Sequence, residues 1–82
     1  MITHYSTNSL FLPTMIEFKV IGDYIPMIQL LKAAGLVQTG GEAQIVVDHG
    51  EVLYNGQVDY RKRLKVKPGD LVEFRGQQIK VI

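Results

Sequence analysis

Residues 61–67 read Arg-Lys-Arg-Leu-Lys-Val-Lys, so five cationic side chains (Arg61, Lys62, Arg63, Lys65 and Lys67) fill seven positions with no carboxylate among them. The whole chain has nine Lys and Arg, and more than half of its positive charge therefore sits in one short run. Such a density suits the neutralisation of a polyanion: cations displace the counterions condensed on a phosphate backbone, and a guanidinium can hold one phosphate with two donors. Where this run is extended, Arg61, Arg63, Lys65 and Lys67 point to one side and Leu64 and Val66 to the other, a basic stripe backed by apolar residues. A solvated strand or loop whose charges only keep the chain soluble would look the same.

Other residues could serve the same chemistry. Lys32 is a further cation on a helical pattern. Thr39 and Glu42 have the spacing of a capping box, which places the free N–H groups of a helix start at Gly40-Gly41, bare enough for a phosphate to approach; the charge of Glu42 competes there. The glycine pair would equally serve a conformational need of the turn. Tyr60, and after it Tyr54, offers a ring for stacking on unpaired bases, although tyrosine in strands commonly serves as half-buried packing. Asn55 belongs first to a turn, with an exposed tip that could touch a ligand. His49 falls near a helix end as a surface or cap residue, and His4 lies in the uninformative first stretch.

Catalysis has no comparable footing. Neither histidine has a second ligand group beside it, no paired carboxylates mark a pocket, and no Gly-rich nucleotide loop with its Lys occurs. Cysteine is absent, which removes thiolate chemistry, disulfides and Cys-rich zinc sites. The expectation is a protein that is not an enzyme, with no metal, no cofactor and no small-molecule substrate.

These residues must be positioned by one small domain, since the chain has 82 residues, 46% hydrophobic and 21% charged. A net charge of +1 does not argue for a polyanion; only the distribution does. No apolar stretch is long enough to span a bilayer, and the first residues lack the basic start and apolar core of a secretory signal. A soluble cytoplasmic monomer is expected. Residues 1–14 show neither alternation nor helical period and are expected to be a disordered tail ahead of a domain over 15–82. In "MIEFKVI", Ile16, Phe18 and Val20 alternate with Glu17 and Lys19 as in a half-buried strand. Residues 26–34 predict a helix with Met27, Leu30, Leu31 and Ala34 on one face and Gly35 as its stop, and a second helix follows Thr39 with Ala43, Val46 and Val47 as its stripe and Gly50 as its end. Asn55-Gly56 signals a two-residue hairpin between Val52-Leu53-Tyr54 and Gln57-Val58, Pro68-Gly69-Asp70 marks a turn, and "LVEF" and "QIKVI" alternate around Arg75-Gly76.

The order helix, turn, helix, Gly-x-Val-x-x-Asn-Gly, strand, Val-Lys-Pro-Gly-Asp-x-Val resembles the S4 RNA-binding domain, or alpha-L motif. It is carried by Gly35-Leu36, Thr39, Glu42-Ala43, Gly50, Val52, Asn55-Gly56 and residues 66–72, and covers residues 26–74. The short chain, the Gly40-Gly41 pair and the Arg-Lys-Arg run look most like the stand-alone bacterial group of the YbcJ and YaaA type. The resemblance implies an α+β fold in which two short helices pack on a small, mostly antiparallel sheet. It also implies a structured RNA partner, ribosomal RNA or a ribosome assembly intermediate, bound through the helix pair and adjoining loops. The commoner form of the motif opens its first helix with Arg-Leu-Asp and carries Arg at the start and middle of the second; Pro26-Met27-Ile28, Gly40 and Gln44 stand at those positions here. RNA contacts are then expected from Lys32, Thr39, Gly40, Gly41, Gln44, Asn55, Tyr60, Arg61, Lys62, Arg63, Lys65 and Lys67, the basic run supplying charge that the helices lack. Two other readings stay open. A protein-protein adaptor would use Met27 and Ile28 if they were exposed. A β-grasp carrier is suggested by "MIEFKV", "YNGQ" and "VKPGDLVEF", but its chemistry needs a C-terminal Gly-Gly, and residues 79–82 are Ile-Lys-Val-Ile.

Overall fold

Alternating apolar and charged side chains draw the first described segment into a strand. The computed structural model describes residues 14–82, and there β1 spans Thr14–Phe18. Ile16 and Phe18 turn to the core while Met15, Glu17 and Lys19 stay exposed. Thr14 thus opens a strand rather than closing the expected tail, and the rest of that tail lies outside the described residues. Val20 is buried as its alternation predicts, although the strand ends two residues earlier, and its backbone N–H bonds the carbonyl of Ile82 at 2.9 Å.

After the two-residue strand β2 (Ile25–Pro26) come α1 (Met27–Ala33) and α2 (Gly40–Asp48). Met27, Leu30 and Leu31 of α1 and Ala43, Val46 and Val47 of α2 are buried, the stripes that helical spacing puts on one face of each. Burying a side chain of Leu or Val size stabilises the fold by roughly 1.5–3 kcal/mol before entropic costs. Both helices end in the same device. In α1 the N–H of Leu36 reaches the Leu31 carbonyl and that of Gly35 the Lys32 carbonyl; in α2 Glu51 reaches Val46 and Gly50 reaches Val47. These paired bonds satisfy carbonyls the helix leaves free, with the residue after the cap in the left-handed region. The expected helix over 26–34 is shorter by one residue at each end, because Pro26 is extended (φ −62°, ψ 144°) and serves as the N-cap.

The remainder is sheet: β3 (Val52–Tyr54), β4 (Gln57–Val58), β5 (Lys65–Val66), β6 (Leu71–Phe74) and β7 (Gln77–Val81). The main sheet has the order β1-β7-β6-β3-β4, antiparallel except for β1 and β7, which run parallel with Thr14 opposite Gln77 and Phe18 opposite Val81. Asn55-Gly56 and Arg75-Gly76 join their strands with positive φ at both residues (50° and 90°, 51° and 80°), the mirror-image turn that matches strand twist. β2 and β5 pair separately, Ile25 opposite Val66 and Pro26 opposite Lys65. Val52, Val66, Val72, Ile79 and Val81 are fully buried and share one core with the helices. No helix among the described residues is long and apolar enough to cross a membrane.

Candidate nucleic-acid interface

A helix leaves its first N–H groups without partners, and the N-cap of α1 is a proline whose side chain cannot accept a bond. The basic run supplies what is missing. The N–H of Met27 donates to the Leu64 carbonyl at 2.9 Å and that of Ile28 to the Lys62 carbonyl at 3.1 Å. Together with the β2–β5 pairing, these bonds hold the run across the start of α1 by its backbone rather than by its side chains. Arg61, Arg63, Lys65 and Lys67 are exposed, Leu64 is half-buried and Val66 buried. The run is not one extended strand as the stripe requires: only Lys65–Val66 is strand, and residues 62–63 form a turn.

The five cations are not equivalent. Arg61 is locked onto Asp59: its Nε and Nη2 donate to Oδ1 and Oδ2 at 3.0 and 2.7 Å, and its backbone N–H adds a third bond at 2.9 Å. The Arg61 guanidinium holds the Asp59 carboxyl below its usual range, against the opposing effect of partial burial. Lys62 reaches back to Asp48 of α2 at 3.2 Å. Lys65 sets its ammonium 5.1 Å from the centre of the Tyr24 ring. Arg63, Lys65 and Lys67, with Lys32 of α1, have no carboxylate partner among the described residues.

Three of these uncompensated cations converge. Lys32, Arg63 and Lys65 line a depression of about 490 Å³ together with Tyr24, Pro26, Ile28, Gln29 and Gly40. Beside it, Arg61, Arg63, Lys65 and Lys67 line a second depression of about 600 Å³ with Tyr54 and Leu64. Arg63 and Lys65 border both. The surface is thus a continuous basic trough between α1, the start of α2 and the 61–67 run, with apolar patches in its floor.

The other expected contacts are distributed differently. Thr39 Oγ1 accepts the Glu42 N–H at 3.1 Å and is occupied as the α2 cap. Glu42 Oε1 accepts from the N–H of Gln38 at 2.9 Å, one residue before the partner a reciprocal capping box would use. Gly40 and Gly41 have ordinary φ, and a Cβ at either would meet open space or only Thr39 Oγ1 at 3.9 Å. The turn does not require them; their effect is to leave the helix start bare. Gln44 is exposed on α2 and stands outside both depressions. Tyr60 is 63% exposed, yet its ring lies against Gly50, where a Cβ would come within 3.1 Å of the hydroxyl.

Asn55 is bound into the fold. Its Oδ1 accepts the Leu71 N–H at 2.8 Å and its Nδ2 points to Asp70 Oδ1 at 3.4 Å. Asp70 Oδ2 in turn accepts the Tyr54 hydroxyl at 2.6 Å and the Lys67 N–H at 2.9 Å. This cluster ties the Asn55-Gly56 turn to the Pro68-Asp70 turn and fixes the end of the basic run. The bond to Asp70, with burial, raises the Tyr54 phenol above its ordinary range. Burial works to raise the Asp70 carboxyl, but the donors from Tyr54, Lys67 and Asn55 outweigh it and hold the group low. Sequence reasoning missed Tyr24, which no periodicity marks; it gains significance only from the β2–β5 pairing that brings Lys65 over it.

A family model described as the S4 domain matches residues 18–82. The chain is 34% identical over 59 residues to the "Putative RNA-binding protein YbcJ" of Escherichia coli (strain K12), covering 72% of this chain and 84% of that protein. It is 39% identical over 54 residues to the "Probable ribosome maturation protein RlbA" of Bacillus subtilis (strain 168), covering 66% and 76%. The solution structure of E. coli YbcJ, described as revealing an alpha-L motif involved in RNA-binding, superimposes with a TM-score of 0.66 at 31% identity, over 84% of this chain and 89% of that one. With two helices on a mixed sheet, turns where the motif needs them and this family match over most of its length, the chain belongs to the S4-domain family.

Proposed function

We propose that this protein is a non-catalytic RNA-binding module and that its target is structured ribosomal RNA, free or in an assembly intermediate. The observation that carries the reading is the convergence of Lys32, Arg63 and Lys65 on one depression with no carboxylate partner among the described residues, and Lys67 beside it. Uncompensated cations along a trough fit a phosphate backbone, whose contacts position an RNA without reading its sequence. The description of the YbcJ structure and the name of the B. subtilis relative support RNA and the ribosome as the setting. The adaptor reading loses its footing, because Met27 is 1% exposed and Ile28 is half-buried.

The test is ultraviolet crosslinking in cells followed by sequencing of the RNA recovered with the protein. Reads concentrated in a few ribosomal RNA helices are the expected result. Recovery of messenger RNA in proportion to its abundance would overturn the ribosomal target, and recovery no greater than that of a crosslinked control protein would overturn RNA binding itself.

A further inference from the structure

Tyr24 stands between two concavities. It lines the 490 Å³ basic depression and also a smaller one of about 260 Å³ bordered by Phe18, Ile21 and Ala33. It is 42% exposed, and the Lys65 ammonium lies 5.1 Å from the centre of its ring. The chain brings it there by a tight bend through Gly22 (φ 94°), and Pro26 two residues on fixes the entry to α1. Tyr24, Pro26 and Ile28 give the basic depression an apolar floor; Gln29 adds a carboxamide, which both donates and accepts, and Lys32, Arg63 and Lys65 supply the charge.

A regular RNA duplex does not match that mixture. It presents phosphates, sugars and a shallow groove, which use the cations but leave an aromatic and aliphatic floor unoccupied. A single unpaired nucleotide matches every part: a π-face for the ring, a hydrogen-bonding base edge for the carboxamide, and flanking phosphates for the cations. The volume lies within the range of pockets that hold small organic groups. We propose that this depression is a subsite for one unpaired nucleotide of the bound RNA, its base against Tyr24 and Ile28, its edge read by Gln29, and its phosphates on Lys32 and Arg63. Lys65, now held over the ring, turns to the neighbouring phosphate when the base arrives. The inference rests on the RNA-binding reading above and adds to it a preference for RNA with an unpaired residue.

The experiment uses the full chain and two fluorescein-labelled blunt RNA duplexes, identical except for one bulged adenosine, read by fluorescence anisotropy. The protein should bind the bulged duplex more tightly. Tyr24→Leu keeps the floor apolar but removes the ring, and should weaken binding to the bulged duplex about 5- to 150-fold, the stacking contribution of one base converted to affinity. Binding to the regular duplex should change less than twofold, and Tyr24→Phe should behave as the parent. Arg63→Gln is the companion variant and should weaken both duplexes alike. Equal loss on both duplexes for Tyr24→Leu, at unchanged melting temperature, would overturn the subsite. So would a Tyr24→Leu protein with no loss on either duplex; a persisting effect of Arg63→Gln would then leave the RNA reading intact. Failure of the parent protein to bind either duplex would remove the RNA reading and the subsite together.

Discussion

Arg61 and Arg63 carry the same charge two residues apart, and the geometry predicts that only one of them matters to a phosphate. The Arg61 guanidinium already lies 2.7 Å from Asp59 with two side-chain bonds to it, whereas Arg63 has no carboxylate partner among the described residues. If Lys32, Arg63, Lys65 and Lys67 each neutralise one phosphate, log affinity should fall with log salt at a slope of about −3, from roughly 0.7 to 0.9 per phosphate, with A-form RNA taken between single strands and duplex DNA. Between 50 and 200 mM salt that is a loss of about 50- to 150-fold. Arg63→Gln should flatten the slope by about 0.7–0.9, while Arg61→Gln should leave it unchanged. Asp59→Asn should steepen it by a similar amount, because it releases Arg61. The assay is anisotropy of one labelled structured RNA titrated at five salt concentrations, with circular dichroism to confirm that each variant is folded. A slope flattened as much by Arg61→Gln as by Arg63→Gln would refute the reasoning, since it would mean that RNA displaces Asp59 and that the ion pair in the free protein says nothing about the complex.

Four further outcomes test the fold that holds the trough. Asp70→Ala leaves the Tyr54 hydroxyl and the Lys67 N–H without their acceptor and should cost about 1–3 kcal/mol, read as a lower urea midpoint with unchanged slope. The folded Asp70 carboxyl is held below its ordinary value of 3.8, so its contribution is complete above that pH and is lost as pH falls through the folded value; the melting temperature should fall below about pH 4, and less steeply in Asp70→Asn. Gly56→Val should destabilise the domain by about 1 kcal/mol or more, because a β-branched residue fits a φ of 90° poorly, and an unchanged melting temperature would contradict the turn. Gly41→Ala should instead stabilise by roughly 0.5–1 kcal/mol, since it replaces a helical glycine with ordinary φ and room for a Cβ.

Much of this architecture is legible in the chain because local physics writes it there. The stripes of α1 and α2, the glycine stops at 35 and 50, and the Asn55-Gly56 hairpin each depend on neighbours a few residues away. The parallel pairing of β1 with β7 is not legible, since alternation marks both as strands but carries no record of which strand lies beside which. Nor are β2 and β5, two residues each and too short for any period. In the site, the density of charge in 61–67 was plain and its inequality was not. Asp59 and Asp48 lie outside the run, and only the folded chain brings them to Arg61 and Lys62. Asn55 reads as a turn residue with a free tip because the backbone amide and the carboxylate that occupy that tip belong to Leu71 and Asp70.

The parallel strand pair also sets the order in which the molecule can be completed. Thr14 meets Gln77, and the N–H of Ile82 bonds the carbonyl of Phe18 while the N–H of Val20 bonds the carbonyl of Ile82. A chain emerging from the ribosome therefore releases β1 about sixty residues before its partner exists, and closing a loop of that length is slow relative to forming a helix pair or a hairpin. The two helices and the β3–β4 hairpin can assemble while synthesis continues. β1, with Ile16 and Phe18 uncovered, must wait for the last strand, and the sheet closes only when β7 slots between β1 and β6.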